Sequence, residues 1–342
     1  MSPPRPATRL KDVAALAGVS VKTVSNVVND FPYVRPATRA KVQSVLDELG
    51  YRPNLSARNL RSGRTGVIAL AVPELEAPYF AELASQVVRA AIDVGWTVLI
   101  DETGGDRERE RAVVAGIRGQ LIDGVLLSPL ALRESDLQQG ASAVPLVLLG
   151  ERLGPGLADH VAIDNEAAAR ELTEHLISSG RTRIAVVGSQ RPPYGHTGQL
   201  RMAGYRAALA AAGLPYDPGL VMPVVQWRRG PGAEAVRALV RRDDPPDAIF
   251  CLNDLLAVGA LFALAEEGIS VPDQIAVVGF DDIEEGRYHR PALTTVAPDK
   301  AEIARQAVAR LAQRLSPGPD SQAPPEEVTV GHRLLVRGST SG

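Results

Sequence analysis

The sequence predicts an α/β protein with an N-terminal all-α helix-turn-helix headpiece and two doubly wound parallel-sheet lobes. Three short helical patterns occupy the first 50 residues. From Gly66 onward, continuous apolar runs of strand length alternate with helical segments, which is typical of parallel strands covered on both faces. These runs come in two successive sets, so we expect two lobes with a cleft between them.

The headpiece prediction depends on three residues that are typical of helix ends and helix starts. Gly18 ends the first apolar stripe, Ser20 can cap a second helix, and Pro36 can open a third. Three helices in about fifty residues, with a turn through Gly18, match the helix-turn-helix unit. We therefore assign residues 1–52 to a DNA-binding headpiece.

The segment "YRPNLSARNLRSGRT" is treated as a separate piece. Pro53 disfavours helix before it, and Asn54 can cap a short helix after it. A helix of this length is marginal in water by itself. Residues 53–65 are therefore predicted to be a hinge helix or linker.

The remaining chain, residues 66–342, is predicted to form the two-lobed domain. The runs "VIALAV", "TVLI", "GVLLS" and "PLVLLG" form the first strand set, and "RIAVVG", "AIFCLND" and "IAVVGFDD" form the second. The first lobe is expected to contain residues of about 66–165 and 298–316, and the second about 166–297 and 325–340.

Charge is distributed unevenly along the 342 residues. The net charge of −3 combines +7 in residues 1–64 with −10 in the rest of the chain. A basic head on an acidic body indicates that only the head meets a polyanion. The alternative is a solvated basic arm with no partner.

Several protein classes are disfavoured by composition. No apolar run approaches a membrane span, and the first ten residues lack a signal-peptide core, so we expect a cytoplasmic protein with no membrane partner. Cys251 is the only cysteine, which excludes a disulfide framework. The five histidines lack close ligand spacing. Because GxSxG, P-loop and HExxH motifs are missing, we expect no catalysis, no metal and no cofactor.

Ordered motifs then point to a family. The stretches "LKDVAALAGVSVKTVSNVVN", "ELGYRPNLSARNLRSGRTGVIAL", "APYF", "AIFCLNDLLAVGAL" and "VVGFDDIEEGRYHRPALTTV" together resemble a LacI/GalR-family transcriptional regulator. The resemblance implies a hinge helix and a periplasmic-binding-protein-like effector domain. It also implies a homodimer that binds a palindromic operator in double-stranded DNA.

The second helix of the headpiece is the predicted recognition helix. Lys22 and Asn26 lie four residues apart and share a helix face. Lys22 can donate to guanine, Asn26 can pair with adenine, and Val21 can pack only on an apolar surface such as a thymine methyl group. The resemblance assigns base contacts to the same three positions. The alternative is an ordinary solvated helix face. Family positions that hold phosphates are occupied by Thr23, Ser25, Asn29 and Thr38.

Three positions depart from the family pattern. The position of Asn26 is commonly arginine, which favours guanine, so we expect a different base in the operator. Arg9 and Arg35 replace hydroxyl caps at helix starts, and losing such a cap costs about 1 kcal/mol.

The hinge is predicted to read the minor groove. By resemblance, Leu60 is the aliphatic wedge that unstacks a base step and bends the duplex. Ala57 permits close approach, Arg58 can neutralise a phosphate, and Asn54 begins the helix. The alternative is a flexible basic linker.

Polar residues at strand ends are the candidates for effector binding. Asn253 and Asp281 close strands of the second lobe, where ligands bind in open α/β sheets. The resemblance adds Arg201 and Trp227. An arginine, an amide, a carboxylate and a ring suit a carbohydrate. An ion pair between Arg201 and Asp281 that serves only the structure is the alternative.

Tyr79 and Phe80 are predicted to line the first-lobe wall of the cleft, with core packing as the alternative. Glu151 and Tyr194 are weaker candidates. Together these features predict a transcriptional repressor controlled by a small-molecule effector. A sugar-binding receptor that reads no DNA is the rival prediction, and the basic helical head argues against it.

Overall fold

A computed structural model of the chain describes residues 9–28, 31–51, 64–116, 121–139, 144–151, 153–154, 156–190, 196–316 and 318–341. The chain forms two compact units, residues 1–65 and residues 66–342.

The first unit contains the three predicted helices, α1 (Leu10–Ala17), α2 (Val21–Val28) and α3 (Pro36–Glu48). Gly18 follows α1 with φ of 61°, a left-handed conformation that glycine adopts without strain. Ser20 Oγ accepts a hydrogen bond from the Thr23 backbone N–H at 3.0 Å, so the predicted cap is confirmed. The helices pack on a small core of Val13, Ala14, Ala17, Val24, Val27, Val42, Val45 and Leu46.

The missing hydroxyl cap of α1 is partly compensated from within the helix. The Arg9 backbone N–H donates to the Asp12 carboxylate at 2.8 Å, which is one half of a capping box. The Asp12 negative charge also lies in the first turn, where the helix dipole favours it.

The first lobe of the second unit is built on a six-stranded sheet in which all strand pairs are parallel. Its spatial order is β11-β5-β4-β3-β1-β2. The strands are β1 (Val67–Val72), β2 (Thr97–Glu102), β3 (Gly124–Leu127), β4 (Leu146–Leu149), β5 (Asp159–Ile163) and β11 (Glu327–Val330). The helices of this lobe are α4 (Pro78–Asp93), α5 (Arg107–Val114), α6 (Glu134–Gln139) and α12 (Lys300–Leu315).

The second lobe contains another six-stranded sheet, ordered β12-β10-β9-β8-β6-β7. Only the β10–β12 pair is antiparallel among its strand pairs. The strands are β6 (Ile184–Ser189), β7 (Val221–Pro223), β8 (Ala248–Cys251), β9 (Ala276–Phe280), β10 (Thr294–Pro298) and β12 (His332–Leu335). Its helices are α7 (Asn165–Ser178), α8 (His196–Ala211), α9 (Arg229–Val240), α10 (Asp254–Glu266) and α11 (Glu284–Tyr288).

The chain passes between the two sheets after β5, after β10 and after β11, which corrects one predicted boundary. Residues 325–340 were expected in the second lobe, but β11 pairs with β5 of the first sheet, with Val328 opposite Val161. Only β12 joins the second sheet, with Leu334 opposite Val296. An apolar run near the C-terminus does not reveal which sheet edge will accept it, because strand pairing is decided by residues far away in sequence.

Glycine allows two helices of the second lobe to approach closely. A Cβ atom added to Gly259 of α10 would lie 2.0 Å from the carbonyl oxygen of Arg229 in α9. At Gly230 of α9, an added Cβ would meet nothing within 4 Å. The two helical glycines therefore differ in their packing.

We predict opposite effects for alanine at these two positions. Gly259→Ala should destabilise the chain by about 1–3 kcal/mol, because the methyl group forces the helices apart. Gly230→Ala should be neutral or stabilise by up to about 1 kcal/mol through helix propensity. Urea unfolding of both full-length variants measures the difference, and equal midpoints would contradict the packing argument.

Candidate nucleic-acid interface and ligand cleft

The predicted base-reading residues lie on the outer side of α2. Val21 is 47 % exposed, Lys22 is exposed and Asn26 is partly exposed. Val24 and Val27 face the small core instead. An exposed valine beside an exposed lysine in the first turn of a helix leaves both side chains available to a partner.

The predicted phosphate-binding residues have different surroundings. Thr23 Oγ1 lies 2.8 Å from Ser20 Oγ, and the hydroxyl retains further hydrogen-bonding capacity. Ser25 and Thr38 are partly exposed. The remaining predicted DNA contacts lie outside the described residues; they are Asn29, Asn54, Ala57, Arg58 and Leu60.

Two exposed aromatic residues of the headpiece were not among the residues predicted to form the DNA-binding surface. Tyr33 is 86 % exposed and Phe31 is 47 % exposed in the loop between α2 and α3. Their rings meet edge-on with centroids 5.6 Å apart. Arg39 Nη2 donates to the Phe31 carbonyl at 2.7 Å and holds the loop. The sequence "FPY" could have revealed this feature, because it places two aromatic residues in a turn that is usually polar.

Arg201 is the centre of the predicted effector-binding residues in the second unit. Its side chain is 8 % exposed, and Nη2 lies 3.6 Å from Asp281 Oδ1. Nε donates to Asn165 Oδ1 at 2.9 Å, and Nη1 donates to the Leu252 carbonyl. The guanidinium carbon lies 3.5 Å from the centroid of the Phe280 ring. The structure thus brings Arg201 and Asp281 together in an almost enclosed site.

Trp227 and Asn253 lie against this centre. The Trp227 ring centroid is 5.6 Å from the Arg201 guanidinium carbon, and its Nε1–H donates to the Gly188 carbonyl at 2.8 Å. Asn253 Oδ1 caps α10 by accepting from the Leu256 N–H at 2.9 Å. Asn253 Nδ2 donates to the Trp227 carbonyl at 3.4 Å. Four of the predicted effector residues therefore form one cluster.

Tyr79 approaches the same cluster from the first lobe, and the Phe80 ring meets the Tyr79 ring edge-on. Both lie in the first turn of α4, are partly buried and pack against the largest hydrophobic core. Burial raises the pKa of the Tyr79 hydroxyl above its usual value, and the negative charge of Asp281 raises it further. The hydroxyl therefore stays protonated at neutral pH and can donate a hydrogen bond.

Three polar contacts join the lobes around this cluster. Lys300 of α12 pairs with Glu82 of α4 at 2.5 Å and donates to the Asp282 carbonyl of the second lobe at 3.2 Å. Arg228 pairs with Glu74 at 2.9 Å. Glu151, a weaker effector candidate, accepts from the Thr197 N–H at 2.9 Å. Tyr194, the other weaker candidate, lies outside the described residues.

The turn after β9 is strained and tightly held. Asp281 and Asp282 have φ of 113° and 48°, values that cost non-glycine residues of order 1–3 kcal/mol each. The Asp282 carboxylate accepts from Arg287 at 2.6 Å and from Arg337 at 2.7 Å. These pairs hold the turn in place, and the conformation of the turn directs the Asp281 carboxylate toward Arg201.

Asp254 is a buried carboxyl group that the sequence reasoning missed. It accepts from Thr295 Oγ1 at 2.7 Å and from the Ile283 N–H at 2.9 Å. Burial raises its pKa to about 7, and the charge of Asp281 adds to the effect. Burial likewise raises the pKa of Asp281 to about 6, although Arg201 opposes the shift. Both groups titrate near neutral pH.

Two negative findings apply to the described part of the chain. No group of three or more His, Cys, Asp or Glu side chains there is arranged to hold a metal ion. Among the same residues, no helix combines the length and the apolar character needed to cross a bilayer.

A helix-turn-helix unit together with a body of two α/β lobes defines the class of ligand-responsive DNA-binding proteins. The family description "Bacterial regulatory proteins, lacI family" matches residues 9–54, and "Periplasmic binding protein-like domain" matches residues 173–340. The chain belongs to the LacI family of transcriptional regulators, as its full-length relatives establish.

Full-length similarity supports this assignment. The ribose operon repressor of Escherichia coli (strain K12) is 34 % identical over 311 residues, covering 90 % of this chain and 93 % of the repressor. A solved complex described as transcriptional regulator CelR with cellobiose is 34 % identical with a TM-score of 0.70, and covers 97 % and 99 % of the two chains. The lac repressor dimer bound to operator and the anti-inducer ONPF is 26 % identical with a TM-score of 0.85, and covers 98 % and 99 %.

We predict that Asp254 makes stability depend on pH. Its folded pKa of about 7 lies above the ordinary carboxyl value, so the folded state binds the proton more tightly. The free energy of unfolding should therefore fall as pH rises toward 7, by a few kcal/mol at most. Asp254→Asn mimics the protonated group and should flatten this dependence.

Thermal unfolding between about pH 5.5 and about pH 8, a range that spans the folded pKa, compares the variant with the parent chain. Asp136→Asn is the matched control, because Arg107 lowers the pKa of Asp136 and this carboxylate does not titrate in that range. An unchanged pH slope in Asp254→Asn would contradict the assignment.

Proposed function

We propose that the protein represses transcription by binding a palindromic operator as a homodimer, and that a carbohydrate effector in the cleft controls its operator affinity. The observation that carries the proposal is the exposed Val21–Lys22 pair at the start of α2 in a basic headpiece. DNA binding places the protein in the cytoplasm. A receptor that only binds sugar would have no use for this helix.

The proposed DNA reading divides the contacts by type. Lys22, Val21 and Asn26 contact base edges in the major groove. Thr23, Ser25, Asn29 and Thr38 hold phosphates and set the register, as hydroxyl and amide groups commonly do. The hinge residues Asn54, Ala57, Arg58 and Leu60 follow the minor groove, with Leu60 as the wedge.

Exposed apolar residues of the body support the homodimer. β2 is an edge strand, and Leu99 and Ile100 are 40 % and 43 % exposed on it, with Ile92 at 65 % nearby. Tyr288 of the second lobe is 79 % exposed. Open apolar edges of this kind are usually covered in the working protein. A second copy would cover them and present two recognition helices to two half-sites.

The proposed effector binds to the cluster around Arg201. Trp227 can stack on the apolar face of a sugar ring, and Asp281 and Asn253 can accept from or donate to its hydroxyl groups. The cellobiose complex of the CelR neighbour and the name of the ribose operon repressor support this ligand class. An effector changes operator affinity only if it binds one lobe arrangement more tightly than another.

Lys22→Ala and Leu60→Ala should alter DNA binding in different ways. Losing Lys22 should relax the preference at one operator position and cost about 1–3 kcal/mol. Losing Leu60 should reduce both the operator bend and the affinity. Binding-site selection and gel-shift bending assays measure these effects.

Lys11→Ala is the matched control, because it removes an exposed lysine of α1 and should weaken binding without changing the preferred sequence. If Lys22→Ala and Lys11→Ala select the same operator as the parent chain, the recognition-helix assignment is wrong.

The effector prediction is tested by a thermal-shift screen with sugars, nucleosides and phosphosugars. A ligand of the cleft should raise the melting temperature, and Trp227→Ala should weaken its binding about tenfold because stacking is lost. Trp96→Ala, at the other tryptophan, serves as control. A ligand whose shift survives Trp227→Ala but disappears in Trp96→Ala binds elsewhere and rules out this site.

A further inference from the structure

The crossings between the two lobes lie at one end of each sheet. The chain crosses after β5, after β10 and after β11, and β11 and β5 are neighbours at one end of the first sheet. In the second sheet, β12 and β10 are likewise neighbours at one end. The opposite ends are formed by β1 with β2 and by β6 with β7. The backbone therefore ties the lobes together at one end of the cleft, and non-covalent contacts must hold them at the other.

Arg228 makes such a contact at the end of the cleft opposite the crossings. This residue follows β7, and its Nη2 donates to Glu74 Oε2 at 2.9 Å. Its Nη1 lies 3.6 Å from Glu76 Oε2. Both glutamates belong to the loop after β1, which is held by a hydrogen bond from the Leu75 N–H to Glu102 at the end of β2, at 2.8 Å. An arginine of the second lobe thus meets carboxylates carried by the far strands of the first lobe.

The carboxylates of the first lobe act on Arg228 by hydrogen bonding and by charge. The hydrogen bond to Glu74 raises the pKa of Arg228 above its usual value, and the charges of Glu74, Glu76 and Glu102 add to the effect. Both partners are partly exposed, with 45 % of the Arg228 side chain and 38 % of the Glu74 side chain accessible. An exposed ion pair of this kind contributes little to the stability of a fold, and salt screens it.

The position of the pair gives it a larger role in lobe opening. A rotation about the crossings separates most the residues that lie furthest from them, so Arg228 loses Glu74 completely when the cleft opens. A contact shifts a conformational equilibrium by the difference between its free energies in the two arrangements. Because this contact exists only in the closed arrangement, its full free energy favours closure.

Arg228 is also attached to the predicted effector site. It directly follows Trp227, whose carbonyl accepts from Asn253 Nδ2 at 3.4 Å. It precedes α9 as the N-cap residue of that helix. A ligand that contacts Trp227 therefore acts next to the residue that joins the lobes.

We propose that Arg228 is an electrostatic latch, which holds the lobes together through Glu74 and Glu76 at the end of the cleft opposite the crossings. Opening the cleft breaks the latch, and breaking the latch favours the open arrangement. This inference concerns the regulation of the proposed effector cleft and rests on its ligand-binding role. Opening itself is measured without a ligand, so the latch and ligand binding are tested separately.

Pulsed EPR distances between two spin labels measure the opening of the full-length chain. Glu108→Cys on α5 and Ala238→Cys on α9 place exposed labels on the helices that follow β2 and β7. Cys251, the only native cysteine, is fully buried and stays unlabelled. Mixing the labelled chain with an excess of unlabelled chain leaves one labelled copy in each proposed dimer.

Changes on either side of the latch should favour the longer distance between the labels. Arg228→Met, and Glu74→Gln combined with Glu76→Gln, should each raise the ratio of open to closed molecules by about two- to fivefold, as expected for an exposed ion pair. Arg228→Glu should raise the ratio further, because a carboxylate then faces the acidic residues. Raising the salt concentration to about 1 M should shift the parent chain toward the open arrangement and shift Arg228→Met less.

Arg229→Met is the matched control for Arg228→Met. Arg229 is the next residue, is 46 % exposed and pairs with Glu285 of the same lobe, so its loss should leave the distances unchanged. The substituted side chains are all at least partly exposed, so the variants should fold. An equal shift in Arg229→Met would overturn the proposal, and so would parent-like distances in Arg228→Glu.

A charge exchange tests the partner of Arg228 directly. Adding Glu74→Arg to Arg228→Glu should bring the distances back toward those of the parent chain, and the absence of any recovery would overturn the proposal. These readouts need neither DNA nor effector. Failure of the sugar screen or of operator selection would refute the proposed repressor function and leave the latch result unaffected.

Discussion

The buried contact between Arg201 and Asp281 is the constraint on which the cleft depends. A guanidinium and a carboxylate removed from water are tolerated only when neighbouring groups satisfy the rest of their hydrogen bonds. Asn165 and the Leu252 carbonyl supply those partners, and the Phe280 ring covers one face of Arg201. Because these partners come from α7, the end of β8 and β9, the charge pair fixes three elements of the second lobe relative to one another.

Contacts of the adjacent residue Asp282 explain why a strained turn persists after β9. Asp281 and Asp282 both have positive φ values, and strain of this kind survives only where surrounding contacts outweigh it. Arg287 and Arg337 hold the Asp282 carboxylate, while Lys300 holds its carbonyl. The first lobe thus takes part in positioning a residue of the second. The turn after β9 therefore carries Asp281 of the predicted effector site and also makes a contact between the two lobes.

The helix ends of the headpiece and the strand-end residues of the predicted effector site could be predicted from local sequence patterns. Gly18 ends α1 and Ser20 caps α2, so both predictions are confirmed. Asn253 and Asp281 lie at the same edge of the sheet because they follow the neighbouring parallel strands β8 and β9. Glu110 escaped prediction, although it accepts hydrogen bonds from the N–H groups of Leu130, Ala131 and Leu132. These partners lie about twenty residues from Glu110 in the sequence, so no local pattern predicts the contacts.

Local sequence patterns specify the α/β class, the basic head, the helix-turn-helix and the strand ends that carry polar residues. Each of these depends on local composition or on residue spacing within one turn or one strand. Long-range packing determines that β11 joins the first sheet, that Asp254 is buried close to Asp281, and that Lys300 is paired with Glu82. Strand partners, burial and the pairing of charges arise between residues far apart in the chain, so they are set by the packing of the whole second unit.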